Sequence, residues 1–329
     1  MCRPAKPSTA ASTEFSVKAS FNSKNKQLVD SNGNRNSPFL TLLVLPLLCY
    51  GSFKFASILP SIFSPNYAHL YYIPANYYYT KANCHFCNTV WTWGTDYIIA
   101  VYMARSAYLC LQRSKNTTTQ SSSIRRSSSL LFSLYCISVL SGGIGHQYYT
   151  KVEEMNSLSF RILWFICVGS VCMAGGIIGI IGTKFGRACN VDKDNILPEH
   201  FWIGYGMIMA LACANGLMSY QRPACDIFMA GTTQCAPTFY NIYIMFNIYL
   251  LKQQKSTNEQ MKKHSLYTYL KYTFSYLLNC PPLPIYTILL RAQIPTSVIN
   301  TYLHANLFFT WNCQGYFIRY FIDLLEDGV

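Results

Sequence analysis

Charge is scarce in this chain. Only 12% of its 329 residues are Asp, Glu, Lys or Arg, against about 25% in ordinary soluble domains. A soluble protein of this length needs more charge than that to cover its surface. Acids are the scarcer sign, 13 against 26 basic residues. Three catalytic or nucleotide-binding signatures are missing from the sequence. There is no Walker-type lysine loop, no dinucleotide glycine fingerprint after a strand and no G-x-S-x-G elbow. Those absences set aside the three enzyme classes that depend on them. The net charge of +13 invites a nucleic-acid reading, but no basic stripe interleaves with stacking aromatics as single-strand binders require. No nucleic-acid partner is expected.

What the chain has is apolar length. Hydrophobic residues make up 51% and aromatics 16%, with 26 tyrosines. Several nearly charge-free stretches reach the roughly 20 residues that cross a hydrocarbon core of about 30 Å. They lie at 39–63, 88–111, 128–149, 159–182, 201–218, 236–251, 266–290 and 298–322. The expected fold is therefore all-α: a polytopic transmembrane bundle with a leading anchor helix and a seven-helix unit. Residues 1–37, rich in Ser, Asn and Lys, read as a disordered basic tail or an organelle transit peptide. Residues 38–63 read as an uncleaved signal anchor, 88–322 as the seven-helix domain and 323–329 as a short acidic tail. The run at 236–251 is short, and Pro281, Pro282 and Pro284 break the one at 266–290.

Lys and Arg alternate between segments. The tail, the loop with Arg113, Lys115, Arg125 and Arg126, the loop with Lys184, Arg187 and Lys193, and the loop with Lys252, Lys255, Lys262 and Lys263 are basic. Opposite segments hold about one each: Lys81, Lys151, Arg222 and Arg291. By the positive-inside rule both termini are expected in the cytoplasm, with anionic lipids as the partners of the basic loops. The sequence leaves the particular membrane open between endomembrane, plasma membrane and organelle. The sequon Asn116-Thr117-Thr118 then falls on the cytoplasmic side and stays unglycosylated. Arg125-Arg126-Ser127-Ser128 in the same loop reads as a solvated loop or a basophilic phosphorylation site.

Polar residues inside a bilayer are costly, so each marks a functional site by default. Asp96, His146, Asn215, Asn300 and His304 come from distant parts of the chain, and the topology sets all five at one non-cytoplasmic depth. That convergence predicts a pocket for a ligand. Each also has a structural reading. Asp96 suits a helix cap, the neighbouring Trp91 and Trp93 an interfacial belt, and His146 an interfacial position. Arg105 suits an internal pair or a snorkelling side chain. Gly142, Gly143 and Gly145, like Gly175, Gly176, Gly179 and Gly182, suit close helix packing. Asn300 and His304, four apart, share one helix face. Of the 14 cysteines, Cys84, Cys87, Cys225 and Cys235 fall on the non-cytoplasmic side, where three disulfide pairings are open. Cys84-x-x-Cys87 also admits metal or redox work.

Thr95-Asp96, Gly142-Gly143-x-x-His146 and Asn300-x-x-x-His304 together resemble a loosely characterised group of seven-helix membrane proteins. More distantly, the layout is similar to the alkaline ceramidase and progestin/adiponectin-receptor-like superfamily. That likeness implies a zinc site for hydrolysing lipid amides, with His146 and His304 matching two of the family's histidine ligands. Gly142 stands where the family has a serine, Asn300 replaces the first histidine of the last pair, and 159–182 lacks the family's acid. Asp96 or water would have to complete the zinc. Against this enzyme stands a non-enzymatic reading, a transporter or a lipid- or ligand-binding receptor.

Overall fold

The structure, a computed structural model, describes residues 40–63, 88–112, 119–219, 226–255 and 259–326. Among them there are helices and turns but no strand. A π-helical turn, Leu40–Val44, leads into α1 (Leu45–Phe63). Then come α2 (Val90–Leu111), α3 (Thr119–Tyr148), α4 (Leu158–Ala188) and α5 (Glu199–Ser219). The chain continues through α6 (Asp226–Lys255), α7 (Glu259–Leu277), α8 (Pro282–Arg291) and α9 (Thr296–Glu326). Three helical segments are long and apolar enough to cross a membrane: Thr119–Tyr148, Leu158–Ala188 and Lys193–Ala214.

Successive contacts α2–α3, α3–α4, α4–α6, α6–α7, α7–α9 and α9–α2 close a ring of six helices. Helix α5 packs on the outside of α4, and α1 and α8 lie at the periphery. Glycines set the closest approaches. A Cβ on Gly175 would stand 2.9 Å from the Thr233 carbonyl of α6, and one on Gly176 2.5 Å from the Trp202 carbonyl of α5. Gly179 lies directly against the Trp202 indole and Gly182 against Asn241. The glycine cluster expected to pack helices does so, serving α5 and α6 on alternate faces of α4.

Helix ends follow local chemistry. Ser157 accepts the Phe160 N–H at 3.3 Å to cap α4. At the far end Asn190 adopts φ 58°, and the Val191 N–H returns to the Gly186 carbonyl at 2.9 Å. The 266–290 run divides at its prolines: α7 stops at Leu277 and α8 opens on Pro282, where the missing N–H costs no helical bond. The expected run at 236–251 is longer in the structure, starting at Asp226 with Pro237 inside the helix. Pro237 removes the donor that would meet the Thr233 carbonyl. The Tyr205 hydroxyl takes its place, donating to that carbonyl at 3.0 Å while Ser52 Oγ lies 2.9 Å away. Thr232 and Thr233 donate back to the carbonyls of Phe228 and Met229, which keeps polar residues satisfied inside an apolar helix.

The loop expected around Arg125 is a correction. Helix α3 already runs through 119–128, and Arg125, Ser127 and Ser128 are buried. Arg125 Nε and Nη2 donate to the two carboxylate oxygens of Glu326 at 2.9 Å, and Nη2 also donates to Asp323 at 2.7 Å. Ser128 donates to the Ile124 carbonyl at 2.9 Å, and Ser127 Oγ accepts from Lys184 Nζ at 2.7 Å. Neither serine is a free phosphoacceptor in this conformation. The acids expected in a terminal tail belong in part to α9, which continues to Glu326. Residues 1–37, the sequon at 116–118, and Cys84, Cys87 and Cys225 lie outside the described residues.

Candidate functional site

Two ends of the bundle differ in chemistry. At one end α3 begins, α4 and α9 finish and α5 begins. Arg125 pairs there with Glu326, and Arg187 Nη1 reaches Glu199 at 2.7 Å. The opposite end gathers the starts of α2, α4 and α9 with the end of α3, and here Asp96, His146 and His304 converge.

His304 enters from the third turn of α9 and is held by α2. Its Nδ1 lies 3.0 Å from Thr95 Oγ1 and 3.2 Å from the Thr92 carbonyl. A carbonyl only accepts, so Nδ1 carries the proton. Thr95 donates its own proton to the Trp91 and Thr92 carbonyls at 2.7 and 2.8 Å, leaving a lone pair for Nδ1. Nε2 then faces Asp96 Oδ1 at 3.5 Å. With Nδ1 protonated, one further proton on Nε2 or on the carboxyl would leave the pair without net charge. That neutrality suits a site 3% exposed at Asp96 and 8% at His304.

Helix α3 closes the other side. Gly142 brings its backbone beside the carboxylate, so that an added Cβ would sit 3.4 Å from Asp96 Oδ2 and 3.5 Å from Cys167 Sγ. A Cβ on Gly143 would crowd the Tyr97 ring at 2.9 Å. Tyr97 in turn donates to Gln147 Oε1 at 2.6 Å. The His146 ring lies 6.2 Å from His304 and meets Trp164 edge-on at 5.5 Å, centroid to centroid. Trp164 stacks on Phe160. The glycines therefore pack helices and admit the acid in one stroke.

The reading of Asp96 as a cap is a correction: α2 starts at Val90, so Asp96 lies a turn beyond the unpaired N–H groups that a cap serves. Trp91 is exposed and Trp93 half-buried beside Tyr97. Arg105 is exposed, away from the site. Asn300 is half-buried one turn before His304. Asn215 falls within α5, its side chain outside the described part. Cys235 lies within α6 with Sγ 3.6 Å from the Gly231 carbonyl. Thr92, Trp164 and Cys167 were missed in the sequence. Only Thr92 carried a signal, one helical turn from Asp96.

A resident zinc needs three protein donors beside water. Among the described residues no group of three or more His, Cys, Asp or Glu could hold a metal ion. His304 turns Nδ1 to a hydroxyl and a carbonyl, and its Nε2 lies 3.5 Å from Asp96 Oδ1. The set expected from the hydrolase likeness does not fit zinc. The arrangement can hold a proton, or exchange it for a ligand's hydrogen bond. No protein-family model, no curated protein and no solved structure matches this chain.

Proposed function

We propose that the protein is a multi-pass integral membrane protein, an anchor helix followed by a seven-helix unit. Its Asp96–His304 pair, flanked by His146, binds a polar ligand near the non-cytoplasmic face. The protein is then a receptor or carrier rather than a zinc hydrolase. The observation that carries this reading is the buried pair itself. Two ionisable side chains 208 positions apart meet inside an apolar bundle, where such residues are kept for ligands or protons. Large apolar side chains on the outer faces, among them Val101, Ile203, Leu211 and Phe309, are exposed as lipid contact requires. The basic residues of three connections and the Arg125 end support a cytoplasmic assignment for that end.

The reading is tested by native mass spectrometry of the full chain extracted from its own membrane. A bound species should be present in the wild type and fall by about tenfold or more in Asp96→Asn and His304→Ala, the loss of one to two charge-assisted hydrogen bonds. Stoichiometric zinc lost in both variants, together with lipid-amide hydrolysis, would return the enzyme. The topology has a separate readout. Asn116 should carry no N-glycan in a eukaryotic host, and a glycan there would sink the assignment of sides.

A further inference from the structure

The ring has a second polar centre, deeper than the Asp96 site and without formal charge. From α3, the Tyr135 hydroxyl donates to Gln234 Oε1 of α6 at 2.8 Å. On α7, Tyr272 donates to Asn241 Oδ1 at 3.2 Å, and the Tyr276 hydroxyl lies 3.4 Å from that of Tyr272. The Tyr135 ring stacks on Trp311 of α9 at 3.9 Å and 4°. Gln314 lies one turn further along α9, and a Cβ on Gly315 beside it would stand 3.4 Å from the Phe132 ring, one turn from Tyr135 on α3. Four of the six ring members, α3, α6, α7 and α9, thus contribute polar side chains to this centre.

Half of this cluster is satisfied and half is not. Gln314 is 0% exposed, yet neither its Oε1 nor its Nε2 has a hydrogen-bond partner among the described residues. The same holds for Trp311 Nε1 and for Thr238 Oγ1, which lies between Gln234 and Asn241 on their face of α6. The large majority of buried side-chain polar atoms in proteins have a hydrogen-bond partner. The Asn279 amide also lacks one among the described residues, but around Tyr135 such atoms come from two helices beside a formed hydrogen bond. An apolar membrane offers no escape to solvent. A lone orphan is a packing fault. Four orphaned atoms lie on α6 and α9, two helices that Tyr135 links through Gln234 and Trp311, and they call for a partner.

We propose that the centre of the ring binds a neutral hydroxyl ligand, either ordered water or the hydroxyl of a small organic molecule. Trp311 Nε1 and Gln314 Nε2 require an acceptor, Gln314 Oε1 requires a donor, and Thr238 takes either role. A hydroxyl oxygen is both donor and acceptor. No ionised group belongs to the cluster, so an ion would be left uncompensated there.

The full chain in lipid nanodiscs tests this by X-ray radiolytic labelling, which hydroxylates side chains next to bound water, and by native mass spectrometry. Water predicts that buried Trp311 labels at a measurable rate. That rate should fall by about an order of magnitude in Gln314→Met, which keeps the shape and removes both polar atoms. An organic ligand predicts an unlabelled Trp311 and an adduct mass lost in Gln314→Met. Thr238→Val, a milder change on the opposite helix, should weaken whichever signal is present if Gln314→Met fails to fold. An unlabelled Trp311 with no adduct overturns the proposal. So does a signal that neither substitution reduces. Because Asp96 and His304 are untouched, failure here leaves the outer site standing, and Asp96→Asn should leave this signal in place.

Discussion

Arg125→Ala should lower the melting temperature of the purified protein by roughly 5–15 °C, as expected for a loss of several kcal/mol in a chain of this size. The Arg125 side chain is 7% exposed and that of Glu326 is fully buried, joined by two hydrogen bonds of 2.9 Å. Removing the guanidinium takes both of its charge-assisted hydrogen bonds from a buried carboxylate, a change that costs about 3–5 kcal/mol. Asp323 shares the same nitrogen, but its side chain is 58% exposed. Asp323→Ala should therefore cost only about 0–1 kcal/mol. The double variant Arg125→Met, Glu326→Leu should recover most of the loss, since an apolar pair replaces an ionic one at little cost. Scanning calorimetry or a thiol-dye melt checks all three. Arg125→Ala melting together with Asp323→Ala would show that the clamp contributes nothing.

The second large effect belongs to the glycine seam of α4. Gly176→Ala places a methyl 2.5 Å from the Trp202 carbonyl and 3.2 Å from the Gly206 Cα. Both obstacles are backbone, so no rotamer change relieves them and α5 must move outward. Overpacking of this kind costs about 1–3 kcal/mol, and more where backbone resists. Gly179→Ala meets the Trp202 ring instead and should be comparable. Gly94→Ala, with nothing within 4 Å of the added carbon, should be neutral or stabilise by about 0.5–1 kcal/mol through helix propensity. Trp202 is 1% exposed, so its fluorescence should shift to the red in Gly176→Ala as α5 parts from α4. An unshifted spectrum and an unchanged melt would mean that the seam does not hold α5.

Much of this was legible in the chain because it is local. The prolines at 281, 282 and 284 mark a helix break wherever the segment packs, since a missing N–H is a property of the residue. The small side chains of Gly175 and Gly179, one turn apart, offer a flat surface to any neighbour. The start of α6 was not legible: 226–235 looks too polar for an apolar span. Its threonines are satisfied by their own backbone, and the carbonyl freed by Pro237 is met by Tyr205 from α5. Arg125 misled in the same way. A run of Arg and Ser has the composition of a solvated loop, and only the distant acids of α9 make it a buried helix.

The sequence by itself determined an all-α fold, the positions of its apolar runs, the proline break and the small-residue face of α4. It also brought Asp96, His146 and His304 to one end of the bundle, because position along a helix follows from counting its residues. The tertiary structure alone decided that Asp96 meets His304 while His146 turns to Trp164. It also decided that Arg125 clamps Glu326 and that Tyr135 stacks on Trp311 while reaching Gln234. The physical reason is common to all of these. A helix fixes the rotation and rise of its own side chains through bonds to neighbours three or four residues away. Which face it turns to which partner depends on the packing of other helices hundreds of residues off, and no local pattern encodes that choice.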